Sequence, residues 1–368
     1  MIVGGCHPAK APTPAPAPAA PDTKAALVEA GLNNLYADSR AVGLVTAVVR
    51  GDRVEARGFG HLGANDARVP DGTTLVRLES VSKLFTADLL SANVAAGRVK
   101  LTDPITLYAP KGWQAPRTKG GGVIRLVNLA SHTSGMPRES GVKPTLAPAD
   151  ATLARWKWLG LGRHLSPPQT EALYSNIAFD VLGDVLTAAS GRPYAQTLAA
   201  TVTGPMGMID TTPSPNAAQC ARLMSSDPVR PAWPCADQGG WAASGGLYST
   251  ANDMGRWLTA QLAPNPAGDR RRISQATYFP RAAFANVSGL DHAGPASAIG
   301  LGWIELAADA AHPRLLEKTG GGDGFLTYVV IDPARRIGVF VAFDNVSGRR
   351  LPKVTADAND LVALLGAP

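Results

Sequence analysis

The chain has 368 residues, 45% of them hydrophobic and 17% charged, and its formal net charge of +6 is spread without any Lys/Arg block. That length holds one large domain or two modest ones, and either buries a substantial core. The diffuse charge argues against nucleic acid, whose footprint needs clustered cations, and no apolar run approaches the roughly 18 residues of a transmembrane helix.

The first twenty-odd residues read as lying outside the fold. Ala11 to Pro21 alternates Ala and Pro with one Thr, a composition that predicts extended, solvated polyproline II. Val3-Gly4-Gly5-Cys6 just before it resembles the end of a bacterial lipoprotein signal. A Pro/Ala tether behind a lipidated Cys6 would hold a globular domain off a bilayer. The basic and apolar regions of such a signal are missing, so Cys6 reads either as a lipid anchor or as a chance cysteine in a solvated tail.

Helical spacing begins at Ala25 and runs to Tyr36. Val42–Arg50 and Arg53–Phe59 are β-rich runs around Gly51-Asp52, which predicts a tight hairpin. Gly58-Phe59-Gly60-His61-Leu62-Gly63 matches the dinucleotide fingerprint, but turn chemistry from Ala64 to Gly72 stands where that fingerprint needs a helix N-terminus. Leu84 to Ala96 predicts a helix with Leu84, Leu89, Leu90 and Val94 near one face and Gly97 as its C-cap. From about Pro116 to Pro234, helical segments such as Ile177–Ala189 mix with Pro/Gly loops. Thr250-Ala251-Asn252-Asp253 opens another helix as a capping-box analogue, with Asp in place of Glu. Strands return at Leu301–Leu306, Phe325–Ile331 and Ile337–Phe343, with Asp332-Pro333 turning between the last two, and a helix follows over Ala356–Leu365.

Strands at both ends thus bracket a helical, loop-rich centre. The pattern predicts an α+β fold: an antiparallel sheet drawn from both chain ends, flanked by helices, with a mainly helical insertion. In this division residues 1–23 are a leader or tether and 24–368 a single domain. Within it, 24–115 and 235–368 form the α/β part and 116–234 the helical part. Cys220 and Cys235 belong to no Cys-x-x-Cys motif and the six histidines form no metal-binding pair, so no metal site is expected. In an exported protein Cys220 and Cys235 read as a disulfide closing a Pro-rich loop; in a cytosolic one they are two thiols.

Three short motifs carry chemistry. Ser80-Val81-Ser82-Lys83 lies at the start of the Leu84 helix, where residues three apart share a face and the Lys83 amine reaches the Ser80 hydroxyl. A buried lysine with a depressed pKa accepts a serine proton, and the Ser80 amide near a helix N-terminus is placed to meet an oxyanion. Tyr174-Ser175-Asn176 sits at a loop-to-helix junction. A Tyr174 hydroxyl relays protons if neighbouring cations lower its pKa, and the Asn176 amide can bond both the lysine and a substrate carbonyl. Lys318-Thr319-Gly320-Gly321 precedes a strand. Lys318 and Thr319, exposed on an edge, would clamp a carboxylate, the bare Gly320 backbone would let a peptide dock, and the Gly321 amide would be the second oxyanion donor.

Taken in order, Ser-x-x-Lys, Tyr-x-Asn and Lys-Thr-Gly resemble the site of class C β-lactamases and their low-molecular-mass penicillin-binding relatives. Asn128 to Pro137 (NLASHTSGMP) and Ser244 to Thr250 (SGGLYST) are similar to further signatures of that superfamily. His132 reads as a structural staple, since no Ser/His/Asp arrangement includes it. The chain also resembles the AmpH-type branch of periplasmic DD-carboxypeptidase/endopeptidases, on HTSGMPRE (132–139), QCARLM (219–224) with Pro234-Cys235, and KTGGGDGFLTY (318–328), with Asp323 a departure from an expected glycine run. This resemblance implies a β-lactamase/transpeptidase-like fold and acyl transfer from D-Ala-D-Ala-type peptidoglycan peptides or β-lactams to Ser80. Lys83 and Tyr174 would move protons, Asn176, Lys318, Thr319 and Gly320 hold substrate, and the Ser80 and Gly321 amides form the oxyanion hole. No metal or organic cofactor is implied, and the location is the periplasm. A class C-type β-lactamase, a family VIII-type esterase and a non-catalytic penicillin-binding sensor are the alternatives; the intact Lys318-Thr319-Gly320 argues against the esterase.

Overall fold

The computed structural model describes residues 1, 24–113, 116, 118–141, 147–161, 165–224, 235–264, 270–322, 324–344 and 347–367. The Pro/Ala tract with Cys6, and Asp323, lie outside the described residues.

Alternation along β1 (Gly43–Arg50) sets the architecture. Leu44 and Val48 point into one apolar cluster, and Val45, Ala47 and Val49 into another. A strand buried on both faces belongs to the middle of a sheet covered twice. β1 pairs antiparallel with β2 (Arg53–Gly60) across Gly51-Asp52, as the hairpin signal predicts. The remaining strands of this sheet come from the C-terminal part: β3 (Thr277–Pro280), β4 (Ala298–Gly300), β5 (Ile304–Leu306), β6 (Leu315–Gly322), β7 (Phe325–Asp332) and β8 (Ile337–Asp344). The order is β2-β1-β8-β7-β6-β5-β4-β3, every pair antiparallel. The sheet is therefore drawn from both ends of the chain, as expected.

Helix α1 (Ala25–Ser39) and the helix over Leu351–Gly366 cover one face, where Val28, Leu32, Val354 and Leu361 meet Leu44, Val330 and Val341. The other face carries α2 (Ser82–Ala95) and, further along, Ala251–Leu262; there Phe85 and Trp303 flank the Trp257 ring at 5.2 and 5.8 Å. Each such side chain contributes about 1.5–3 kcal/mol relative to exposure. Helices α3 (Pro148–Gly160) and α4 (Asn176–Ser190) lie in the central segment; numbering on, the Ala251 helix is α5 and the Leu351 helix α6.

Several expectations shift in detail. α2 is buried on nearly every side, Ser82 to Ser91 included, because it is held between sheet and central helices; its leucine stripe is one part of a continuous apolar surface. The strand expected over Leu301–Leu306 is half turn: Gly302, at φ +75°, reverses the chain, and β4 and β5 pair around it. Thr250 Oγ1 accepts from the Asp253 amide at 3.2 Å, but the Asp253 carboxylate turns to Asp210 N (2.8 Å) and Thr211 Oγ1 (3.0 Å), tying α5 to a loop. The Gly58–Gly63 segment runs from β2 into a turn closed between Gly63 and Asp66, with no helix. Cys220 and Cys235 form a disulfide with Cα atoms 5.7 Å apart. Among the described residues no helix is long and apolar enough to cross a membrane.

Candidate active site

A short antiparallel pair, Leu75–Arg77 with Tyr248–Thr250, delivers the chain to the nucleophile motif. Glu79 then takes φ +49°, a left-handed conformation that costs a non-glycine residue on the order of 1–3 kcal/mol. Ser80 falls in a 3₁₀ turn over Glu79–Val81 that runs into α2, so it sits just ahead of the α-helix and Lys83 lies in its first turn.

Lys83 is fully buried. Its Nζ lies 3.2 Å from Ser80 Oγ, 2.7 Å from Asn176 Oδ1 and 2.6 Å from the Ser244 carbonyl oxygen. Burial pushes the amine well below its ordinary pKa, against the opposing pull of Asp180 and Glu139. Asp180 lies one turn after Asn176 on α4, and burial raises its carboxyl in turn.

Tyr174 follows a two-residue strand, Ala172–Leu173, that runs parallel to Val287–Ser288. Its hydroxyl donates to Ser80 Oγ at 2.5 Å. Three basic side chains face its ring: Lys83 Nζ at 4.9 Å, Lys318 Nζ at 5.1 Å and Arg138 Cζ at 4.8 Å from the centroid. On the same ring stacks His132, 4.7 Å away. Its Nδ1 accepts from Ser175 N at 3.0 Å and its carbonyl from Leu173 N at 2.9 Å. Burial holds its pKa well below 6.5, so the imidazole is neutral and acts as the staple expected of it. Ser175 caps α4 by accepting from Ala178 N, which fixes Asn176 as the first helical residue.

Lys318, Thr319 and Gly320 enter from β6. The expectation of an exposed edge needs correction. Lys318 and Thr319 are 3% and 7% exposed, and β6 is an inner strand. Its pairing with β5 ends at Glu317, however, so the outer edge opens where the motif begins. Lys318 Nζ donates to the Thr319 carbonyl at 2.8 Å, and burial lowers its pKa. Gly320 presses on the nucleophile's backbone: a Cβ there would lie 2.2 Å from Thr327 Oγ1, 2.8 Å from Leu78 O and 3.0 Å from Ser80 N. No other residue fits so close an approach.

Ser80, Glu79, Glu139, Asn176, Gly321 and Gly322 are among the residues around a cavity of about 220 Å³ beside Ser80. Lys83, Tyr174 and Gly320 meet Ser80 through the contacts above, Lys318 reaches the Tyr174 ring, and Thr319 lies between Lys318 and Gly320 on β6. Three participants carried no sequence role. Glu139 accepts from Asn176 Nδ2 at 2.5 Å; Asp180 shares Asn176's helix face at i+4, a signal the spacing does contain; the Ser244 carbonyl is a backbone contact that leaves no side-chain signature.

A serine bonded to a buried lysine and a tyrosine, with a Lys-Thr-Gly strand alongside, is an arrangement able to carry acyl transfer through the serine. The chain belongs to the Beta-lactamase family, whose description matches residues 25–364. It is 37% identical over 350 residues to the D-alanyl-D-alanine-carboxypeptidase/endopeptidase AmpH of Escherichia coli strain K12, covering 94% of this chain and 90% of that protein. The crystal structure of a beta-lactamase/D-alanine carboxypeptidase from Yersinia pestis superposes with a TM-score of 0.85 at 38% identity, covering 93% of this chain and 98% of that one. A class C beta lactamase from Rhodobacter sphaeroides shares the fold, with a TM-score of 0.73 at 21% identity over 93% of this chain and 99% of its own.

Proposed function

We propose that the chain is a penicillin-binding DD-carboxypeptidase/endopeptidase. It transfers the acyl group of a D-Ala-D-Ala-type peptidoglycan peptide to Ser80 and hydrolyses the resulting ester, and β-lactams acylate the same serine. The observation that carries this reading is the hydrogen-bond set at Lys83. A neutral amine has two N–H bonds and one lone pair. With Asn176 Oδ1 and the Ser244 carbonyl fixed as acceptors, the lone pair is left for the Ser80 hydroxyl.

Lys83 takes that proton as Ser80 Oγ bonds to the substrate carbonyl carbon, and the amides of Ser80 and Gly321 hold the oxyanion. As the C–N bond breaks, Tyr174 gives its hydroxyl proton to the departing amine and is reprotonated from Lys83. Lys318 and Thr319 hold the terminal carboxylate, Gly320 lets the peptide approach, and Asn176 orients the acyl amide. Water then attacks the ester and yields its proton to Tyr174, which passes its own hydroxyl proton to the neutral Lys83 amine; as the ester C–O bond breaks, Lys83 returns that proton to Ser80 Oγ. The Cys220–Cys235 disulfide supports an oxidising, periplasmic location; lipidation at Cys6 would tether the domain there through the Pro/Ala tract that follows it.

The test turns on deacylation, because peptidase and β-lactamase form the same acyl-serine. A bulky bound β-lactam fragment blocks the hydrolytic water, whereas departing D-Ala leaves room for it. D-Ala release from a pentapeptide, with slow β-lactam turnover and a long-lived penicilloyl adduct, is the expected result. Efficient cephalosporin hydrolysis without D-Ala release would make the enzyme a β-lactamase.

A further inference from the structure

Glu139 is anchored on the side-chain amide that the proposed reaction needs. Asn176 Oδ1 is engaged by Lys83, and Asn176 Nδ2 donates to Glu139 Oε1 at 2.5 Å. Nδ2 carries two N–H bonds, so an acyl carbonyl that takes the second is held beside the Glu139 carboxylate. A bound acyl group that covers this carboxylate strips water from it, a cost that a positive charge on the acyl group offsets and a negative charge raises.

Charges of both signs surround that position. Two carboxylates, Glu79 and Glu139, and two guanidiniums, Arg77 and Arg138, line the cavity. Arg77 is buried with its guanidinium 5.2 Å from the centre of the Tyr248 ring. Arg138 lies over the Tyr174 ring, with its Nε 3.7 Å from Glu139 Oε1 in a long ion pair. The Glu139 side chain keeps 47% of its surface exposed, open to whatever the cavity admits. On the leaving-group side Lys318 and Thr319 serve a carboxylate, whereas Glu139 presents a half-exposed carboxylate beside the acyl amide.

We propose that Glu139 is a specificity-determining residue that favours acyl donors bearing an ammonium group near the acyl amide and disfavours those bearing an anion there. The proposal rests on the acyl-Ser80 reading and deepens it by naming the charge of the acyl side chain.

Three penicillins that share a phenylacetyl skeleton test it: ampicillin with an α-ammonium, benzylpenicillin with hydrogen, and carbenicillin with an α-carboxylate. Second-order rate constants for acylation of the full chain should fall in that order, with about a tenfold span between the ends, the scale of a partly exposed ion pair gained against one repelled. Glu139→Gln should collapse the span to about twofold or less, while Glu139→Asp should retain the order. A wild-type order that is flat or reversed overturns the proposal without any variant, as does an unchanged span in Glu139→Gln. Benzylpenicillin separates the two levels: no acylation of wild type by it or the others overturns the acyl-enzyme reading itself, whereas acylation with a flat order overturns only the role of Glu139.

Discussion

Ser82 and Ser80 are two residues apart and do different work. Ser82 Oγ accepts from the Leu247 amide at 3.1 Å, tying α2 to the strand that follows the Ser244 segment. Ser80→Ala should abolish covalent labelling by a fluorescent penicillin, and Lys83→Ala should nearly abolish it. Ser82→Ala should still label, with stability lowered by about 1–3 kcal/mol because a buried N–H loses its acceptor. Peptide mapping of the adduct checks the first point and denaturant melts the last; undiminished labelling of Ser80→Ala would sink the assignment. The sign of the pH effect follows from Lys83. Its amine must be neutral to accept the Ser80 proton, and burial lowers its pKa. Acylation should therefore stay fast well below the ~10.5 of an ordinary lysine and fall only as acid protonates the amine, which a rate profile against pH reads directly. At this scale the sequence was informative wherever chemistry sits within one turn, as in Ser80 and Lys83. It was silent on the Ser244 carbonyl, 161 residues from the amine it receives, since a backbone acceptor has no residue type.

β6 joins the site to the sheet, and neighbouring residues on it face different surroundings. Glu317 is 1% exposed, and burial raises its carboxyl to about 8 from an ordinary 4.5. The folded chain keeps this proton over a range in which the unfolded chain has lost it. The stabilisation is thus complete below about pH 4.5 and is lost as pH rises towards 8. Glu317→Gln should remove that slope, so its melting temperature should gain on wild type by a few degrees (~2–4 °C per kcal/mol) between pH 5 and 8. A constant difference across the range would show that Glu317 is not the group responsible. The long strands were legible because each carries a buried apolar run: β1, β7 and β8 match their expected bounds to within a residue. β3, β4 and the pair Ala172–Leu173 and Val287–Ser288 are two to four residues long, too short for an alternating pattern to declare itself. The edge position expected for Lys318 failed for a related reason. Nothing local reveals that β5 pairs with β6 and then stops at Glu317.

On the scale of the whole molecule, the disulfide closes a loop of sequence separation 15 between the short helix Ala217–Cys220 and the segment leading to α5. In the chain-entropy model such a loop stabilises by about 3 kcal/mol. Reduction, or Cys220→Ser with Cys235→Ser, should lower the denaturant midpoint accordingly while leaving penicillin labelling measurable. Intact mass of the oxidised protein should be two protons lighter than the reduced form, and free thiols at both positions in exported material would contradict the pairing. The sheet's construction bears on how the molecule comes to exist at all. The Gly43 amide bonds the Asp344 carboxylate across 301 residues, and β1 enters the main sheet only beside β8. A chain emerging N-terminus first has its opening hairpin early and the strand that receives it almost last. Such high contact order slows folding, and here it defers closure of the sheet until β8 has been made. The first hairpin therefore waits for its partner strand across nearly three hundred residues of chain.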